Sequence, residues 1–514
     1  MTLRDALLAG LNSLPGTREF HLHVLVSSPR KHGNLFPFAN PRPRSYLQDI
    51  LILLSEQTTP DSPSVFVSAI EACVYNIPAT SCAILYVSKV DSTGQATAPS
   101  PTPALVRALL LFYADPATRP ISVDHLWIHV FARAQNQYLF PNSSEYPKKH
   151  PLSDIKLCAW WKRQISTVVG ELATRVGDTC RTKSYYTLPG LSEFEAYHSL
   201  ERVYPSTGSR SSWTYGHPYS QDEIPLPCPC PSGGDSPRHL GQCIPSFDDD
   251  PKSRFIDEIA YTTDADGVRS PERKRPRADT LKTHEEDASS ADASEKKEGR
   301  SKKEDQTHKE VKKVSVEEFW ERMSFRQECI AGAVTGFFVI GVSATRTPSV
   351  STLSTSEVSP LAPQAGQVSS QMNKRVLTSL LTAHEFPTVE KAVWSTKVIE
   401  DTIRGLCDGL KSNPLPLVVA DRSGRRTPEP DPVRTTLAPP QTPPPRLVNG
   451  KRPIIDISPN PFPEPVASLE TYHSYIFGTI AVKNRPPPTK EAASAGNGTP
   501  PTITVLTARK KRAK

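Results

Sequence analysis

Alternation comes first along this chain. Phe20, Leu22, Val24 and Val26 alternate with His21 and His23, which predicts a strand with one apolar face. Ahead of it, Thr2 and Asp5 form a capping box for a helix over 3–14, stopped by Pro15-Gly16. Val65–Tyr75 and Ala83–Val90 are β-rich runs joined by the turn-like Asn76-Ile77-Pro78, predicting an antiparallel hairpin inside a sheet. A Pro/Thr-rich loop ending at Pro103 leads into a helix over Ala104–Tyr113, and His125–Val130 is a further strand. Ser153 opens a long helix whose apolar stripe is Cys158, Trp161, Ile165, Val168 and Leu172, with Trp160 off its centre. Residues 177–245 read as irregular, and Phe255–Ala260 as a short amphipathic helix. Ser315 and Glu318 box the start of a helix expected to continue towards Phe338, and Val376–Leu381 and Val389–Leu410 read as helices. Alternating strands among amphipathic helices predict a mixed α/β fold: a central, mostly antiparallel sheet surrounded by helices.

Composition divides this pattern into ordered and unordered stretches. Proline is very frequent, at 52 of 514 residues, and hydrophobic residues make up 37%, so much of the chain cannot bury a core. The expected domain is 1–261 with 314–344 and 375–411, interrupted by a charged insertion at 262–313 and a Ser/Thr/Pro linker at 345–374. Beyond it, 412–514 reads as a disordered proline-rich tail ending in the basic run Arg509–Lys514. Arg273-Lys274-Arg275-Pro276-Arg277 resembles a nuclear localisation signal. The net charge of +7 is concentrated in such runs and suits an acidic or nuclear partner. Nine cysteines without a framework predict a reducing compartment. No secretory leader is expected, and the longest apolar run, Cys329–Ile340, is too short to span a bilayer.

No P-loop, dinucleotide-binding glycine turn, His-Glu-x-x-His or Gly-x-Ser-x-Gly motif is present, which removes several enzyme classes. Cys228, Cys230, His239 and Cys243 hold donor types for zinc at a spacing that fits no standard knuckle, so no metal is assigned. His21 and His23 have the spacing of a strand-face ligand pair but read as solvent-facing histidines. Asp248-Asp249-Asp250-Pro251-Lys252 is either an exposed acidic turn opening a helix or the acidic edge of a pocket for a cationic substrate. Lys148, Lys149 and His150 before Ser153 and the loop before Ala104 are helix starts suited to an anion, and Phe131, Tyr138, Trp160 and Trp161 could wall an apolar channel. A phosphate-bearing ligand with an apolar arm, meeting an amine, suits that set: coenzyme A thioester and lysine.

Five stretches in order carry a family resemblance: Gln137–Ser144, Lys148–His150, Trp160-Trp161, Asp249–Phe255 and Phe319–Arg322. The chain resembles the fungal histone lysine acetyltransferases first named as regulators of Ty transposition, similar in fold to the metazoan CBP-type acetyltransferase domain. The resemblance implies acetyl transfer from acetyl-CoA to lysines of newly made histone three, in replication-coupled nucleosome assembly and the DNA damage response. It implies a nuclear enzyme with histone dimers and histone chaperones as partners, neither membrane-bound nor reading DNA sequence directly. Carried over by motif, Asp250 and Asp249 match catalytic carboxylates, Lys252 the self-acetylated lysine, Trp161 the tryptophan at the substrate lysine and Asp91 the acid after the hairpin. Acetyl-CoA contacts carried over in the same way are Val90, Asp91 and Ser92; Pro99, Ser100, Pro101, Thr102 and Pro103; Phe131 and Gln135; His150, Pro151 and Leu152; and Trp160. Asp248, Pro103 and Gln135 depart from the family pattern, and 222–242 looks like an insertion. A different class of reading is a non-catalytic nuclear scaffold for histones and chaperones.

Overall fold

Tyr46–Gln57, a strand that no alternation announces, lies at the heart of the sheet. The computed structural model describes residues 1–205, 213–229, 238–261, 311–326, 333–344, 364–409, 462 and 464–485. In chain order the strands are β1 (Gly16–Val26), β2 (Arg30–Lys31), β3 (Tyr46–Gln57), β4 (Val65–Ile77), β5 (Cys82–Ser92), β6 (His125–Ala132), β7 (Cys180–Thr187), β8 (Trp213–Tyr215), β9 (Gly336–Ala344) and β10 (Phe477–Asn484). They form one sheet in the order β10-β1-β3-β4-β5-β6-β9-β7-β8, with β2 paired to β3. Among the described strand pairs only β5–β6 and β7–β8 are parallel. The helices are α1 (Leu3–Leu11), α2 (Thr102–Ala114), α3 (Asp154–Val176), α4 (Glu193–Val203), α5 (Leu240–Cys243), α6 (Pro251–Tyr261), α7 (Val316–Met323), α8 (Ser370–Thr382) and α9 (Val389–Cys407).

Both faces of the sheet are covered, and that explains β3. Its Ile50, Ile52 and Leu54 pack with α1, α2 and α3 on one side. Leu51 and Leu53, pointing the other way, pack with α8 and α9. A strand buried on both sides has no reason to alternate apolar with polar residues. A third core lies on the second face around Trp127, Ile256 and Phe319, where α6 and α7 pack.

Several expectations are met. Thr2 and Asp5 form the capping box, although α1 ends at Leu11. The hairpin is β4–β5, antiparallel throughout. The second parallel strand of the pair, β6, follows the α2 crossover. Others are corrected. The helix from Ser315 stops at Met323, and Gly336–Ala344 is the interior strand β9, paired to β6 and β7. Its apolar run Phe337–Ile340 is buried on both faces. The stretch 177–245 holds β7, α4, β8 and α5 rather than irregular chain. In the expected linker, Val368 bridges Ser27, and α8 already begins at Ser370. In the expected tail, β10 adds to β1 along eight register pairs, from Gly16↔Asn484 to His23↔Phe477. Unpaired donors and acceptors on the edge of β1 are what such a segment satisfies, whatever the proline content around it. The basic runs Arg273–Arg277 and Arg509–Lys514 lie outside the described residues.

The same late segment overturns the solvent-facing reading of His23. The ring is fully buried, and its Nε2 is 3.0 Å from the hydroxyl of Tyr472. Burial drives its pKa from 6.5 to about 3. His129 on β6 is also buried, and burial with nearby Lys252 brings it to about 3. Both are neutral in the fold but titrate normally once unfolded. Their contribution to stability is complete above pH 6.5 and is lost as pH falls towards 3. Each should cost about 1.4 kcal/mol per pH unit across that window. Guanidinium unfolding at pH 7 and at pH 5 should therefore show a steep acid loss that becomes shallower in His23→Gln; an unchanged slope would contradict it.

Candidate active site

Parallel strands leave their carboxyl ends free for a ligand, because the crossover helix starts there. At that end of β5 and β6 lies a cavity of about 570 Å³. Its floor is Tyr86–Ser92 of β5 and Phe131 of β6. Thr102 and Pro103, at the start of α2, and His150–Leu152, just before α3, supply two helix N-termini. Trp160 and Trp161 close one side, meeting edge to face at 4.9 Å. Asp249 and Arg254 close another.

Most residues named from the sequence meet here. Val90, Asp91, Ser92, Ser100, Thr102, Pro103, Phe131, Gln135, His150, Pro151, Leu152, Trp160, Trp161 and Asp249 all line the cavity. Pro99 and Pro101 do not. The Pro99 carbonyl instead accepts from Arg18 at 2.9 Å, and Pro101 is the residue before α2. Arg18 is buried beside Glu56, whose carboxylate in turn takes the Thr97 N–H. The loop that starts α2 is thus pinned from β1 and β3. Sequence reading missed both residues; a charged pair within two strands was the only available sign.

Asp91 is buried and heavily engaged. Its Oδ2 accepts the backbone N–H groups of Tyr138, Leu139 and Phe140 at 2.7, 2.8 and 3.1 Å. Its Oδ1 accepts from Lys149 Nζ at 2.9 Å and from the Ser92 N–H at 2.8 Å. Lys149 gives a second bond to Ser143 Oγ at 2.7 Å. This lysine, expected with its neighbours to face an anion, lines the cavity but is buried and neutralised by Asp91. Lys148 and His150 are the exposed members of that run. Asp91 therefore organises the cavity wall, and its oxygens are occupied in doing so.

The acidic run splits across the wall. Asp249 has the left-handed φ of 64°, and its side chain is largely exposed. Lys89 holds it at 3.1 Å and Glu71 at 2.8 Å. Asp250 is 1% exposed and lies behind the lining, as does Lys252. Asp250 Oδ1 accepts the Lys252 N–H at 2.9 Å, capping α6, and Oδ2 accepts Lys252 Nζ at 2.5 Å. The ammonium also sits 4.4 Å from the centre of the Phe337 ring. Burial lowers the Lys252 pKa, and Asp250 opposes that shift. Phe247 locks the turn by stacking on Tyr86 at 4.2 Å. Both readings of the run hold in part: it caps a helix, and it gives the cavity an acidic edge.

Among the described residues no group of three or more His, Cys, Asp or Glu is arranged to hold a metal. Cys228 and Cys243 are buried, and Cys230 lies outside the described residues. No helix among the described residues is long and apolar enough to cross a membrane.

Residues 118–402, more than half the chain, match the histone acetyltransferase KAT11-type domain. The chain belongs to the KAT11-type histone acetyltransferase family. It is 30% identical over 307 residues to the histone acetyltransferase rtt109 of Aspergillus flavus, a match covering 54% of this chain and 45% of that protein. It is 24% identical over 336 residues to the histone acetyltransferase rtt109 of Schizosaccharomyces pombe, covering 63% of this chain and 68% of that one. The match thus spans less than half the length of the first relative. The crystal structure of Rtt109 from Aspergillus fumigatus superposes with a TM-score of 0.55 at 25% identity, covering 78% of this chain and 96% of that one. The mixed α/β fold is shared with that crystal structure.

Removing the charge of Asp91 leaves the buried ammonium of Lys149 without its counter-charge. Asp91→Asn should lower the unfolding free energy by roughly 3–5 kcal/mol, the usual cost of breaking one side of a buried pair. Denaturant melts would check this; a loss under about 1 kcal/mol, the scale of an exposed pair, would mean the pair is not buried in solution.

Proposed function

We propose that the cavity binds acetyl-CoA and that the chain transfers its acetyl group to lysines of newly synthesised histone three. The observation that carries this reading is convergence: motif positions scattered between Val90 and Asp249 line one cavity in a chain of the KAT11-type family. The N-termini of α2 and α3 suit the anionic end of the cofactor, and Phe131, Leu152 and Trp160 suit its apolar arm. Trp161 and Asp249 border the place left for the incoming lysine.

In the reaction the lysine nitrogen attacks the thioester carbonyl carbon. One ammonium proton passes to solvent before attack; as the carbon–sulfur bond breaks, the thiolate leaves with its electron pair and takes up the second proton that the nitrogen sheds in becoming an amide. A lysine has a pKa near 10.4 and an ordinary aspartate one near 3.9, so an aspartate is a poor base for this proton. Asp249 and Asp250 act instead by orienting and neutralising charge: Asp249 at the edge, and Asp250 through Lys252 and the start of α6. Lys252 modifies itself in this reading, and acetylation would remove its charge from the buried pair. Nuclear localisation, histone chaperones as activating partners, and roles in replication-coupled nucleosome assembly, DNA repair and transcription regulation belong to the same proposal.

Asp250→Asn should lower kcat by about 10²-fold, a typical loss for one electrostatic contact, while acetyl-CoA affinity by calorimetry survives. If Asp250 serves only as a helix cap, thermal stability would drop and kcat per folded molecule would stay near wild type. Binding of acetyl-CoA without transfer to a histone dimer, with or without chaperone, would favour the scaffold reading. Mass spectrometry of protein incubated with acetyl-CoA alone should find Lys252 modified; Lys252→Gln should then be milder than Lys252→Arg. An unmodified Lys252 in active enzyme would remove the self-acetylation claim.

A further inference from the structure

Lys252 lines a second and much smaller chamber, which shares no lining residue with the large cavity. It is bounded by His129 of β6, Thr187 of β7, His217 and Tyr219 after β8, Lys252 of α6, Trp320 of α7 and Phe337 of β9. Its free volume for a water centre is about 10 Å³, close to what one water molecule requires. Two of its walls carry buried nitrogens that find no hydrogen-bond partner among the described residues: His129 Nδ1 and Trp320 Nε1. An unmet buried donor or acceptor costs about 1–3 kcal/mol, so two around one small chamber call for an occupant.

The chemistry of the walls selects that occupant. An indole N–H only donates, and an imidazole nitrogen donates or accepts according to its tautomer. Lys252 adds three donors, of which Asp250 Oδ2 takes one and the face of Phe337 engages another. The other titratable groups facing the chamber are His129, His217 and Tyr219. Burial keeps both histidines below their ordinary value and the tyrosine well above its own, so near neutral pH none of the three is charged. Glu317, from α7, is 3.8 Å from His217 and does not line the chamber. A cation would meet the Lys252 ammonium, and the volume is too small for a polyatomic anion.

We propose that this chamber is a built water site, and that the water held by His129 and Trp320 is the third partner of the Lys252 ammonium. His129 and Trp320 are then positioning residues: they act on the acetyl-transfer site through Lys252 and Asp250, without touching either substrate. The catalytic consequence rests on the proposed role of the Asp250–Lys252 pair; the water site itself does not.

Crystals of the full chain that resolve ordered water supply the direct test. Density should appear within about 2.7–3.2 Å of His129 Nδ1, Trp320 Nε1 and Lys252 Nζ. It should vanish in Trp320→Phe, which keeps a ring against Phe337 and loses the N–H. A chamber without density, or density that persists in Trp320→Phe, overturns the proposal. Lysine labelled at Cε, with Lys252→Arg for assignment, gives the second readout. The Lys252 midpoint should fall by about one pH unit in Trp320→Phe and in His129→Leu, because the ammonium has lost a polar partner. A midpoint that does not move in either variant overturns it as well. In the same variants the pH profile of Lys252 self-acetylation should shift with the midpoint while the KM for acetyl-CoA holds. A stationary rate profile beside a moved midpoint would count against the catalytic role of the pair and leave the water site standing.

Discussion

A carboxylate taken out of water must find donors, and the architecture of this site follows from how Asp91 finds them. Three consecutive backbone N–H groups, from Tyr138 to Phe140, close on one oxygen, and Lys149 closes on the other. That single group fixes where the chain leaving β6 turns and where α3 starts. Gly94 lets the two segments approach: a Cβ there would stand 2.6 Å from the Lys149 Cα, and its φ of +79° suits glycine. The cavity is the space left between elements tied to this point.

A second buried pair repeats the principle at the other wall. Asp250 and Lys252 neutralise each other beside Phe337, and Phe337 stacks on Phe131 at 4.9 Å. Phe131 faces the cavity. Two aromatic rings in contact thus separate the Lys252 ammonium from the cavity. Breaking one side of such a pair is costly, whereas changing both together need not be. This is why Asp250 and Lys252 go together, while Asp249 beside them pairs with Lys89.

Elements with one exposed face were legible in the sequence: β1 through its alternation, α3 through its stripe, α1 through its capping box. β3 and β9 were not, because a doubly buried strand shows only a continuous apolar run, and such a run fits a helix as well. β10 was hidden by the proline-rich composition around it. The cavity residues were legible only through the order of family motifs. No spacing rule joins Val90 to Asp249, since the cavity is assembled by the crossover and the turn before α6. What motif matching could not convey was the division of labour. Lys149 looks like an anion ligand beside its neighbours, and only the fold shows Asp91 and Ser143 holding its ammonium at the cavity wall. Trp320 lies in one of those motifs and His129 in none, and nothing in the chain announces that both residues line one chamber.

The docking of β10 on β1 has a consequence for the order in which the molecule is made. His23 and Tyr472, which meet in that contact, are 449 residues apart. At the usual pace of translation, about 5–20 residues per second, the first strand waits roughly 20–90 s for its outer neighbour. Throughout that time β1 presents an open hydrogen-bonding edge, and the pocket of His23 lacks its cover. Contacts of such long range form slowly even in the finished chain, because the loop must close before they stabilise anything. The nascent protein thus keeps an open strand edge until one short, late strand covers it.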